Sequence, residues 1–397
     1  MLELENALFL LRSSLNSLRM AIESFGSPVL AVSDIVLQNL TSQQIMALEK
    51  SFLNRAQILE AHLKEVNKQF LMATCIENLY ALQQDLQQVR DHYFLSEQVF
   101  DYYVDLLHTR SEHGVGAILK ACDMIAYESL RRGLQSLNYQ VPSIVCYLDR
   151  GEGASILRAG IYLWDYQTNP AALIKVVRTA IPFPRLTSIL HECGHQAAQV
   201  TGWNEELATL IYRTISNEGY SKGLAELWAS WAPEIAADFW ALNQSNFASV
   251  IGLAEVVAGS AKRVFRVIRG DPHPMGYLRI MLGIISCDIV FGNGPWDDYR
   301  KVWQLLYPIK TAKKESADIV IESLSLLEVL AKVILNTKMN CFLGKSLQEI
   351  LPWDRASPNA VRSFLNNDMS DFSVDNSSLV KDPILALTCF RCIQMFG

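Results

Sequence analysis

His191-Glu192-Cys193-Gly194-His195 is the stretch from which the rest of the chain can be read. On a helix, side chains four apart lie one above the other, so both imidazoles can converge on a single metal ion. Glu192 then sits beside that ion, placed to take a proton from a water that the metal has acidified. Zinc suits this donor pair, and the chemistry implied is hydrolysis. Cys193 lies about 200° around the helix from His191, which assigns it to the core. By itself the pentapeptide is also compatible with a solvated polar turn.

Working outward, Pro182-Phe183-Pro184 can open a helix but not lie inside one, and Gly202 can close it. The motif helix is therefore predicted from about Pro184 to Val200. Upstream, 143–148, 156–164 and 172–178 are rich in β-branched and aromatic residues and are separated by strong turn signals at 149–153 and 165–170. A small antiparallel meander is predicted there.

A catalytic zinc needs three protein ligands and one open position. Glu205, Glu206, Glu218, Glu226 and Glu234 follow within reach. Glu234 has the best context: Ser230 can cap its helix, Pro233 sits near the first turn, and Ala236 and Ala237 allow a close helix approach. Asp238, one turn on, can accept the outer ring N–H of a metal-bound histidine. Glu226 lacks such an acid. Further on, His273 stands between Pro272 and Pro274 in a stiff segment, with Tyr277 and Arg279 on the helix that follows.

His-Glu-x-x-His, then Glu-x-x-Ala-Asp, then His-Pro-x-x-x-x-Arg-Ile resembles the gluzincin metallopeptidases, in particular the group of the CAAX prenyl proteases and HtpX-like proteases. The motifs follow in order at workable separations (234 − 195 = 39 and 273 − 234 = 39). The resemblance covers roughly residues 140–290. It implies zinc held by His191, His195 and Glu234, Glu192 as general base, Asp238 behind the ligands, and a downstream element of His273, Pro274, Arg279 and Ile280. It also implies a peptide or protein substrate. His273 has three readings: oxyanion stabiliser, fourth ligand, or a residue that holds its loop. Tyr277 and Arg279 are further candidates for the oxyanion. An extended peptide is expected on the edge of the 143–178 sheet.

The chain has 397 residues, half of them hydrophobic and 19% charged, with a net charge of −6. The absence of a basic block argues against nucleic acid as a partner. The best apolar run, 277–291, is broken by Arg279 and Asp288, so no membrane span is expected. The acidic start Met1-Leu2-Glu3-Leu4-Glu5 does not resemble a signal peptide, and the eight scattered cysteines form no framework. A cytoplasmic location with reduced thiols is the expectation. Cys389-x-x-Cys392 is read as core, and His62, His92, His108 and His113 as surface or hydrogen-bonded residues.

The fold class predicted is α+β, mostly helical: a zincin-like core with a small antiparallel sheet, flanked by helical regions. Residues 1–135 form the first region, where Thr41-Ser42-Gln43-Gln44 reads as a capping box and Gly26 and Pro28 separate an earlier helix over 3–24. The catalytic core is expected over 136–300 and a further helical region over 301–397, with loops in the polar stretch 354–382. A regulatory partner docking on 1–135 is left open. The rival readings are a helical scaffold with structural or vestigial zinc, and a zinc hydrolase of a non-peptide amide.

Overall fold

The structure, a computed structural model, describes residues 2–73, 75–112, 114–151, 153–180, 186–268, 270–368 and 382–396. His113, the Pro182-Phe183-Pro184 segment and the Cys392 side chain fall outside the described residues. The fold is mostly helical with one small sheet. It divides into two compact units. The first comprises Met1–Lys120, Pro142–Leu148 and Arg158–Leu173, and the second Ala121–Val141, Asp149–Leu157 and Ile174–Gly397. Residues 301–397 fall in the second unit, and the division runs through the helix that spans Lys120 and Ala121.

In the first unit, α1 (Leu2–Ser24), the short α2 (Asp34–Gln38), α3 (Ser42–Met72) and α4 (Ile76–His108) follow one another, and α5 (Val115–Gln135) begins there. The capping box at Thr41 and Gln44 starts α3 as the sequence predicts. Leu15, Leu18 and Ile22 of α1 pack with Leu59, Leu63, Val66 and Phe70 of α3 and Leu82, Leu86 and Val89 of α4. Each such burial stabilises by roughly 1.5–3 kcal/mol. Arg55, in the same unit, makes a buried ion pair with Asp165 at 2.6 Å.

The strands are β1 (Ser143–Asp149), β2 (Ser155–Leu157) and β3 (Ala171–Val177), in the order β1-β3-β2. The sheet is mixed, not the antiparallel meander expected. The middle segment caused the difference. Tyr162, Leu163, Trp164, Asp165 and Tyr166 alternate between exposed and buried as a strand would. Yet buried Asp165 accepts from Arg55, and Asn169 donates to the Arg158 and Ala171 carbonyls, which braces 158–170 as a loop. Of this segment, 155–157 forms a strand at the sheet edge, while Tyr162 makes an isolated antiparallel bridge to Thr168.

In the second unit, α6 (Thr187–Thr201) ends at Gly202, whose left-handed φ of +74° suits glycine. Then come α7 (Trp203–Asn217), α8 (Lys222–Ser230), α9 (Ala232–Ser245), α10 (Phe247–Val257), α11 (Ala261–Val264) and α12 (Gly276–Phe291). The chain continues through α13 (Pro295–Leu306), α14 (Lys314–Leu324), α15 (Leu327–Asn336), α16 (Leu347–Ile350), α17 (Pro358–Asp368) and α18 (Pro383–Phe396). Helix α17 stands where loops were expected. Its entry is a Ser-Pro start: the Ser357 hydroxyl accepts from the Ala360 N–H.

The dominant packing is α6 against α9. Gly194, a wildcard of the motif, makes it possible: a Cβ there would lie 2.5 Å from the Ala237 Cα. Trp240 seals the junction by donating its indole N–H to Ser129 of α5 at 3.0 Å. Strand β2 also packs on α6, so the sheet edge runs beside the motif helix. Ser230 does not cap α9 as predicted. Its hydroxyl donates back to the Leu227 carbonyl of α8, and Trp231 takes the cap position without a side-chain bond.

Candidate metal centre

Helix α6 presents His191 and His195 one turn apart, with ring centroids 4.8 Å apart and nearly perpendicular planes. Helix α9 brings Glu234 up from its first turn. Glu234 Oε2 is 3.4 Å from His191 Nε2, and Oε1 is 3.3 Å from His195 Nε2. One ligand atom from each residue lies within 4.8 Å of the others. Two partly buried imidazole nitrogens and a buried carboxylate thus form a group that could hold a metal ion. Glu226, by contrast, pairs with Lys222 on the exposed face of α8.

Behind the ligands, Asp238 Oδ1 lies 2.9 Å from His191 Nδ1, a short contact off the line of a straight hydrogen bond. This orients the ring with Nε2 inward. Asp238 also accepts both arms of Arg279 at 2.7 Å each. The same guanidinium lies 3.2 Å from Glu234 Oε2. Arg279 thus braces two carboxylates and is only 9% exposed. Tyr277 is fully buried, its ring tilted against Phe265 with centroids 5.0 Å apart, and its hydroxyl bonded to Gln304. None of its described contacts reaches the ligand group, so the oxyanion role considered for Tyr277 has no geometric support.

His273 is exposed, with Nε2 3.7 Å from Glu234 Oε1. Asp271 fixes it by accepting from its backbone N–H at 3.0 Å and by contacting ring Nδ1 at 2.7 Å. The histidine therefore holds its loop and also turns Nε2 toward the cluster. Asp271 is the residue that sequence reasoning missed. The available signal was an aspartate two positions before the histidine, the spacing at which Asx side chains bond the backbone.

Electrostatics match the geometry. Burial alone would raise the Glu234 pKa, but bonds from His191 and His195 and the Arg279 charge hold it well below the usual carboxylate range. Asp238 is likewise held low against its burial, chiefly by Arg279. Burial works to lower His191, but Asp238 and Glu234 outweigh it and push the pKa to about 10. The carboxylates thus hold a proton where a divalent cation would compete. Glu192 is different: burial pushes its pKa up, opposed by the charges of His191 and His195. A buried carboxyl beside two histidines is placed to exchange protons with them and with a water in the site.

No protein-family model, no curated protein and no solved structure matches this chain.

Proposed function

We propose that the chain is a zinc-dependent metallopeptidase of the gluzincin type, in which α6 and α9 carry the ligands of a zincin-like core. The convergence of His191, His195 and Glu234 within 4.8 Å carries this reading. Buried Glu192 beside the cluster and the sheet edge against α6 support it further. A bound zinc ion supplies Lewis acidity and lowers the pKa of water towards ~7. Two histidines and one carboxylate also suit iron, but a glutamate base next to the first ligand favours hydrolysis and zinc.

The chain's own residues do the rest. Glu192 takes the proton of the attacking water and delivers it to the leaving amine. Asp238 keeps the His191 ring turned inward and shares the Arg279 charge with Glu234, so the buried carboxylates do not repel each other. His273, steadied by Asp271 at Nδ1, turns Nε2 to the cluster and donates from it to the carbonyl oxygen only with the ring doubly protonated. Strand β2, at the edge of the sheet beside α6, is where an extended peptide would pair its main chain. Among the described residues, no helix is long and apolar enough to cross a membrane.

Glu192→Gln tests the mechanism. The variant should bind one equivalent of zinc by elemental analysis yet lose peptide turnover by roughly 10²–10⁴-fold. Full turnover in this variant would remove the mechanism. Wild-type protein purified with far less than one equivalent of metal would point to a scaffold, and cleavage of small amides but not a peptide library to the other hydrolase.

A further inference from the structure

Tyr162, Trp164 and Tyr166 are 76%, 40% and 73% exposed, and they alternate with buried Leu163 and Asp165. The backbone around them closes as a hairpin. The Leu163 N–H donates to the Gln167 carbonyl at 2.9 Å, the Asn169 N–H donates to the Ile161 carbonyl at 2.8 Å, and Tyr162 bridges Thr168. At the tip the Tyr166 N–H donates to the Leu163 carbonyl at 3.0 Å, and Tyr166 itself holds a left-handed φ of +58°. Glycine is the usual residue at the left-handed position of a three-residue hairpin loop, because a Cβ there crowds the backbone. A tyrosine at this position works against the local conformation, and its exposed ring gains little burial in return.

The rings are nonetheless held in place. Asp165 pairs with buried Arg55 at 2.6 Å and accepts from the Gln167 N–H at 3.1 Å, which fixes the tip from below. Trp164 lies edge-on to Tyr102 of α4 with centroids 5.7 Å apart. Tyr166 lies edge-on to His92 of α4 at 6.4 Å, and His92 stacks on His62 of α3 at 5.8 Å. The result is an ordered aromatic surface and not a loose loop.

The second observation is charge. Between Arg90 and Arg110, α4 carries Asp91, Glu97, Asp101 and Asp105 and no lysine or arginine. Asp91, Gln98, Tyr102 and Asp105 follow at i, i+7, i+11 and i+14, so acids flank Tyr102 along one face of the helix. Asp101 and Asp105 are exposed and have no cationic partner among the described residues. Arg110 is buried and donates to the Asn39 and Cys146 carbonyls. Like charge disfavours nucleic acid or an anionic bilayer on such a face, and opposite charge favours a cationic partner.

We propose that the hairpin face and the acidic flank of α4 bind an arginine- or lysine-bearing peptide segment of a partner protein. Cationic head groups stack on exposed indole and phenol rings, and their aliphatic stems cover the remaining apolar surface. Asp101 and Asp105 supply the opposite charge. An extended chain turns alternate side chains the same way, so basic residues two apart meet successive rings. This surface is independent of the metallopeptidase reading: α3, α4 and the hairpin belong to the first unit and the metal ligands to the second.

Fluorescence anisotropy of the full-length protein tests this with a labelled octapeptide of alternating arginine and glycine, beside the same peptide with citrulline in place of arginine. Citrulline keeps the planar head group and removes the charge. At low salt the arginine peptide should bind at least about tenfold more tightly than the citrulline one. Trp164→Ala should weaken it about tenfold and Asp105→Asn about threefold, with circular dichroism unchanged. Asp318→Asn, which neutralises an exposed acid on α14, should leave binding as it is. Tyr166→Gly should bind more weakly yet melt no earlier than wild type, because glycine accepts the left-handed φ without strain. Binding should also survive treatment with a metal chelator, which keeps its failure distinguishable from that of the metal site. No binding of the arginine peptide would overturn the proposal, as would insensitivity to Trp164→Ala or an equal loss from Asp318→Asn. Equal affinity for the two peptides would overturn it in favour of an uncharged ligand such as a carbohydrate.

Discussion

Asp238 stands between two claims on its oxygens. Arg279 takes both of them at 2.7 Å, and His191 Nδ1 approaches one at 2.9 Å. Replacing the carboxylate by an amide would remove charge from this meeting point and free Arg279 to pull on Glu234, already 3.2 Å away. A guanidinium that competes for a ligand carboxylate weakens the site from behind, in addition to losing ring orientation. Asp238→Asn should therefore lower zinc affinity by about 10–100-fold, the usual cost of losing such a partner. Competition with a chromophoric chelator measures it, and unchanged affinity would deny Asp238 this role. At this scale the sequence was informative for His191, Glu192, His195, Glu234 and Asp238, because i,i+3 and i,i+4 spacing on helices fixes their faces. For Tyr277 and Arg279 it was silent on surroundings, since helical phase does not say which neighbour a side chain meets. Arg279 found acids, and Tyr277 found Phe265 and Gln304.

At the scale of elements, the site depends on how closely α6 and α9 approach. Gly194 is unconstrained in the motif, but here it lies where a Cβ would come 2.5 Å from the Ala237 Cα and 2.9 Å from the Trp240 Cβ. Backbone cannot yield as a flexible side chain does, so Gly194→Ala must push the helices apart. Overpacking of this kind costs about 1–3 kcal/mol. The displacement falls between the two histidines and their carboxylate, so metal affinity should drop along with the melting temperature. A variant that melts earlier but binds zinc as well as wild type would show that the site tolerates a wider crossing.

Element boundaries also mark how far the sequence could be read. The helices of 1–135 were legible because their apolar positions recur at helical spacing and Thr41 and Gln44 cap α3. The order β1-β3-β2 was not legible, because pairing depends on partners far away in the chain. Alternation over 162–166 resembled a strand, yet it reflects a loop pinned through Asp165 and Asn169 to groups that local sequence does not reveal.

For the whole molecule, the response to acid follows from several carboxylates that the fold holds ionised. Glu206 isolates the effect, because it lies away from the metal ligands. It accepts from the backbone N–H groups of Asn340 and Cys341 at 2.8 Å each, tying α7 to the turn after α15. Partial burial would raise its pKa, but these bonds outweigh it and hold the group below its ordinary value of 4.5. A carboxylate whose pKa is lower when folded contributes stability above its unfolded pKa and loses it as pH falls through the folded value. The Glu206 contribution should therefore be complete at pH 7 and fade below about pH 4.5. Glu206→Gln should melt earlier than wild type at pH 7, and the gap should close as the pH falls below the ordinary carboxylate range and through the lower folded value. A gap that persists undiminished into acid would mean that the side chain acts through packing and not through its charge.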